Sequence, residues 1–162
     1  MFPNDTDSFP FGVSGSQPRI THLHPSAIQI FQLWQIYISN VNPLLKISHV
    51  PTLQTQIVEA GADLSKVSKP LEALMFNIYL IAVKSMTNEE TRATFGESKA
   101  LMLRRFSEAS QQALINASFM RSNDLMVLQA YFLYLVRPVF IFNHSCFQLT
   151  YSTYLAQRWP QY

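Results

Sequence analysis

The chain has 162 residues, about one domain's worth, and 48% of them are apolar, enough to bury a full core and to exclude global disorder. The formal net charge is only +2 and the twelve Lys and Arg are scattered, so no basic footprint of the kind that neutralises nucleic-acid phosphates is present. A single cysteine, Cys146, excludes an internal disulfide framework and a multi-cysteine zinc site, and fits a reducing compartment.

Residues 1–21 carry three prolines, two of the four glycines and many small polar residues, so they are expected to form a flexible leader without a secretory signal. A first helix is expected from about Pro25, since proline suits the first helical turn, with Phe31, Trp34, Ile38 and Val41 on one face. The second runs from Pro51 to Gly61 and the third from about Pro70. The third has a main stripe of Leu71, Leu74, Met75, Ile78 and Ala82, yet Phe76, Tyr79 and Ile81 make it apolar on most sides, which suits the centre of a bundle. In "TNEE", Thr87 and Glu90 are spaced as a capping box, and the short helix that follows ends at Gly96.

The fifth helix, about 97–119, places Leu103, Phe106, Ala113 and Ala117 on one face and Arg104, Arg105 and Glu108 away from it. The sixth, about 123–136, is expected to point Leu125, Leu128, Phe132 and Leu135 inward. Residues 138–162 have one charge, Arg158, and no clear period, and are expected to form an irregular tail. The reading is therefore all-α, a bundle of about six helices over residues 22–137. Its expected core residues are Phe31, Trp34, Leu74, Ile78, Phe106 and Leu128, with His49 and Pro51 forming a turn. The longest apolar runs, Ala73–Val83 and Leu125–Val136, are shorter than the ~20 residues a membrane span needs.

Chemistry-bearing patterns are sparse. His22 and His24 form the closest histidine pair, but no third ligand stands at a recognisable spacing. His49 reads as a residue bonding backbone at a helix start, and Glu89 and Glu90 as first-turn carboxylates facing the helix dipole. Arg104 and Arg105 read as a solvated face, and Tyr131, Phe132 and Tyr134 as core and interface. His144 and Cys146 are close in sequence, a weak cue for a nucleophile whose other partners cannot be placed. Gly12, Gly15, Gly61 and Gly96 are too dispersed for a phosphate loop. No catalytic, metal-binding or DNA-binding residue is expected, no cofactor-binding residue can be assigned, and enzyme chemistry has no support.

Several segments in order carry a resemblance. His24-Pro25 precedes a helix with the pair Leu33-Trp34, followed by Asn40-Val41-Asn42-Pro43 and then by Lys46 to Thr52, a Lys-x-x-His-x-Pro-Thr segment. Further on, Leu128-Gln129-Ala130 closes "FSEASQQALINASFMRSNDLMVLQAYFLYL". Over about residues 22–137 the chain resembles the regulatory, or middle homology, region of fungal zinc-cluster transcription factors. That resemblance implies nuclear transcription regulation and restraint or licensing of an activator through a small-molecule effector or a contact within the protein. In that family zinc sits in an N-terminal six-cysteine module, absent here, so zinc and specific DNA contact are expected only through a full-length relative. The partners expected for this chain are another protein or other parts of the same factor, with no membrane.

The family's later arginine-containing helical stretch does not follow Arg137. The chain therefore reads as a fragment, from a truncated gene or from a gene model running into an intron after Arg137. A bundle lacking later helices is expected to expose apolar faces of its third and sixth helices. Two other readings stay open: a free-standing helical interaction module that inhibits a full-length factor, and a small helical enzyme or ligand carrier using His144, Cys146 and the aromatic surface of the sixth helix.

Overall fold

The computed structural model describes residues 19–138. Most of the leader and of the tail, including His144 and Cys146, lies outside the described residues. Helix α1 (Ala27–Asn40) begins two residues later than Pro25, because Ser26 caps it: Ser26 Oγ accepts from the Gln29 N–H while the Gln29 side chain accepts from the Ser26 N–H. Its buried residues are Ile30, Leu33, Trp34 and Tyr37, at helical i, i+3, i+4, i+7 spacing. The expected core residue Phe31 is instead 47% exposed, because the buried face is the neighbouring one, centred on Leu33 and Tyr37.

Helix α2 (Asn42–Leu45) is a single turn with Pro43 in its opening, and it raises the expected six helices to seven among the described residues. Lys46 ends it in the left-handed conformation, φ 44°. Helix α3 (Val50–Ala62) has Pro51 in its first turn, as expected, but continues through Gly61 to Ala62, with Leu53, Ile57 and Ala60 buried. His49 precedes it but makes no backbone cap; its Nδ1 pairs with Thr52 Oγ1 at 2.8 Å. A 3-10 turn, Leu64–Lys66, follows, in which Asp63 Oδ1 accepts from the Ser65 backbone and hydroxyl and Asp63 Oδ2 meets the Lys66 ammonium at 2.9 Å. The Lys66 bond, then the Ser65 bonds, hold the Asp63 carboxyl at about 2.

Helix α4 (Lys69–Ser85), capped by Ser68, is the centre of the bundle, and every residue from Leu71 to Val83 is buried. It packs against α1, α6 and α7, while α3 packs on α1 and α5 on α6. Each of its Leu, Ile, Met and Phe side chains stabilises the fold by about 1.5–3 kcal/mol through burial. Its one amide in the apolar stretch, Asn77, donates from Nδ2 to the Ala73 carbonyl at 2.8 Å. The Thr87–Glu90 capping box opens α5 (Asn88–Phe95). Gly96 ends it at φ 72°, a conformation that a side chain disfavours.

Helix α6 (Lys99–Asn116) is shorter than expected at both ends, with Ser98 as its cap and the chain turning at Ser118, φ 51°. Helix α7 (Leu125–Val136), capped by Asp124 Oδ1, buries Val127, Ala130, Leu133 and Tyr134. The four residues expected to point inward do the opposite: Leu125 is 66%, Leu128 63%, Phe132 41% and Leu135 51% exposed. Apolar residues surround this helix, so periodicity alone does not choose its buried side. Ala130 on the contact face permits close approach to α4, and Gln129 and Tyr134 reach polar partners described below.

Candidate interaction surface

The outward face of α7 carries four of the large apolar side chains exposed among the described residues. Leu125, Leu128, Phe132 and Leu135 follow one another at intervals of three, four and three, so they form one stripe about 15 Å long. Along one edge, Gln129 Nε2 donates to the Ile47 carbonyl at 2.6 Å, laying the turn between α2 and α3 beside α7. Along the other, the rings of Phe119 and Tyr131 meet at 4.9 Å. Leu44, at the end of α2, and Met120, beside Phe119, are themselves 48% and 63% exposed. Large exposed apolar patches mark contact sites. Of the two faces expected to be exposed, only this one is, since the third predicted helix, α4, is covered throughout.

The Gln129 bond also explains two sequence motifs at once. The Leu-Gln-Ala motif and the Lys46–Thr52 segment are 82 positions apart at their point of contact, and the amide of one holds the backbone of the other. Beneath that turn, Trp34 and Tyr37 stack at 5.5 Å between ring centroids. Burial raises the Tyr37 hydroxyl above its usual range; Ser48 beside it acts in the opposite sense, although neither hydroxyl attains hydrogen-bonding geometry. His49 and Pro51 flank the turn, as expected, and both are exposed.

A second polar group is largely internal. The His24 side chain is fully buried, its ring 4.3 Å from that of Phe76 and its Nδ1 3.3 Å from the Tyr79 hydroxyl. Its Nε2 stands 3.6 Å from Glu72 Oε1, which also accepts from the Thr21 hydroxyl at 3.4 Å. Burial, then the Glu72 charge, raises the Tyr79 hydroxyl well above its usual range. This arrangement ties the segment before α1, including buried Ile20, to α4. His22 is exposed and takes no part. No group of three His, Cys, Asp or Glu that could hold a metal ion occurs among the described residues.

At the opposite end of α4, Lys84 Nζ donates to the Arg137 carbonyl at 3.2 Å, and Lys99 Nζ to the carbonyls of Lys84 and Met86. The lysines thus serve backbone carbonyls at helix ends, where positive charge meets the dipole. Burial, then Arg137 and Lys99, push the Lys84 ammonium down to about 8. The Arg137 guanidinium lies 4.0 Å from the centre of the Tyr134 ring and donates to Ser107 Oγ at 3.1 Å. Arg104 pairs with Glu108 on an exposed face, whereas half-buried Arg105 pairs with Glu97 at 3.2 Å. Tyr134 is core, its hydroxyl accepting from Gln111 Nε2 at 2.9 Å.

The displaced Phe31 lines a groove of about 460 Å³ between α1 and α5, together with Ile36, Asn40, Met86, Glu90 and Thr94. No described group of nucleophile, base and orienting residue converges on it. No helix among the described residues is long and apolar enough to cross a membrane.

The chain is 45% identical over 132 residues to the transcriptional regulator AacuB of Aspergillus aculeatus, covering 82% of this chain and 18% of that protein. It is 44% identical over 160 residues to the aurofusarin cluster transcription factor aurR2 of Gibberella zeae, covering 97% of this chain and 24% of that one. It is 31% identical over 141 residues to the C6 finger domain transcription factor adaR of Aspergillus niger, covering 83% and 18%. The chain thus spans less than a quarter of the length of these curated relatives. The match to aurR2 takes in most of the residues after Arg137, which speaks against an origin of that stretch outside the family. No family model and no solved structure matches the chain.

Proposed function

The chain belongs to the fungal zinc-cluster, or C6 finger, transcription factors, and we propose that it works in transcription regulation as part of their regulatory region. In this reading it acts in the nucleus through protein contact, by docking another segment of the factor or a separate protein on α7. The observation that carries the reading is the outward stripe of Leu125, Leu128, Phe132 and Leu135 on a helix whose opposite face is fully packed. Such a surface costs solubility unless it is covered, and a partner supplies the cover. Contact with DNA belongs, in this proposal, to other parts of a full-length relative, and zinc with it.

The test joins the chain to an unrelated DNA-binding module and an activating segment and measures reporter transcription in fungal nuclei. The wild-type chain changes reporter output at least several-fold, and Leu128→Ser with Phe132→Ser abolishes the change while leaving the helical content intact. Equal output with and without the chain would remove the regulatory reading.

A further inference from the structure

The charges around the α7 stripe say what kind of partner fits it. Helix α7 carries no charged residue from Leu125 to Val136. The two segments beside it each carry an exposed cation close in sequence to an exposed apolar residue: Lys46 lies two positions after Leu44, and Arg121 directly follows Met120. Lys46 directly precedes Ile47, whose carbonyl is fastened to Gln129, so its backbone lies alongside the middle of the stripe. Arg121 lies four residues before Leu125, in the turn that Phe119 joins to Tyr131. Neither cation makes an ion pair among the described residues. The nearest acid in sequence, Asp124, already accepts from the Met126 N–H as the helix cap.

We propose that the α7 face docks an amphipathic helix whose apolar ridge runs along Leu125, Leu128, Phe132 and Leu135 and whose flanks carry carboxylates opposite Lys46 and Arg121. The inference deepens the reading of the same surface given above and rests on it. The intervals of three and four suit a helix lying alongside, since a partner with leucines at the same intervals presents a matching ridge over the same 15 Å. Cations at the rim of such a surface select a partner by sign and speed its arrival more than they tighten it. A basic amphipathic helix would offer the same apolar ridge and meet repulsion at both edges.

The experiment uses the full chain and two labelled synthetic peptides, both helical, with leucines at intervals of three and four. One has glutamates on its flanks and its twin has lysines, and binding is followed by fluorescence anisotropy. The acidic peptide binds about fivefold or more tightly than its twin at low salt, and the margin narrows as salt is added. The double variant Lys46→Glu with Arg121→Glu, both on the surface, reverses the preference, and Leu128→Ser weakens both peptides. Equal binding of the two peptides, or a preference that survives the double reversal, overturns the proposal. So does a concentration-dependent dimer that Leu128→Ser dissolves, because a second copy would then be the occupant. The reporter assay distinguishes the two levels: if the charge preference fails while Leu128→Ser with Phe132→Ser still abolishes regulation, only the partner's chemistry is wrong.

Discussion

Helices α4 and α7 have almost the same sequence character and opposite fates. Both are apolar around most of their circumference, yet α4 is enclosed by α1, α6 and α7, while α7 has neighbours on one side only. The contrast teaches that an all-round apolar helix needs a cover on every side, and that its own residues do not say whether that cover lies within the same described chain. In α7 the attached side holds Val127, Ala130, Leu133 and Tyr134, with Gln129 at its edge. Leu125, Leu128, Phe132 and Leu135 form the free side, so bulky apolar residues stand on both, and the small Ala130 and the polar tips of Gln129 and Tyr134 are found only toward the attached one. In α4 there is no free side, since every residue from Leu71 to Val83 is buried.

The sharpest way to break this comparison is to truncate a ring on each helix. Phe76→Ala in α4, where the side chain is fully buried, is expected to lower unfolding free energy by about 3–5 kcal/mol. Phe132→Ala on α7 is expected to cost well under half of that, and equal losses in urea melts would mean that the α7 face is covered. Next in size, Ala130→Leu should destabilise by about 1–3 kcal/mol, since a larger side chain forces α7 away from α4. Gln129→Ala should cost about 1–2 kcal/mol by leaving the Ile47 carbonyl without its donor, readable as faster amide exchange in residues 46–50.

Lys84 supplies a smaller effect with a defined pH signature. Its ammonium is pushed down to about 8 in the fold from a value of 10.5, so the unfolded chain holds the proton more tightly between those values. This contribution to stability therefore rises as pH increases from about 8 to about 10.5, and below about 8 the charged group weakens the fold. Lys84→Met is expected to flatten that rise, and, because the group is only half-buried, to change stability at pH 7 by no more than about 1 kcal/mol. Smallest of all, Leu128→Gln should fall within about 0.5 kcal/mol of wild type in stability and should improve solubility.

Much of the backbone organisation is legible in the residues. Pro51, Pro70, Thr87 and Gly96 mark helix ends because capping is local chemistry, decided within four positions. The centrality of α4 is legible too, since thirteen consecutive buried positions, 71 to 83, leave an apolar signature on every side. The orientations of α1 and α7 are not. Phe31 and Leu128 look like core residues by size, and only the placement of neighbouring helices turns them outward. The candidate surface was therefore visible as a set of residues but assigned to the wrong side. The internal partners of His24 were missed for a related reason: Tyr79 lies 55 positions away, and nothing local links the two.

The bond from Gln129 to Ile47 has a consequence for the order in which the protein assembles and opens. It closes a span of 82 positions, so its entropic cost falls due only after α4 has gathered its neighbours, and it is expected to form late in folding. Once made, it joins the last described helix to the turn that launches α3, and local opening of α7 must release that turn as well. Two segments remote in sequence thereby become a single cooperative opening unit, and anything that clamps the outer face of α7 will slow amide exchange at the turn between α2 and α3.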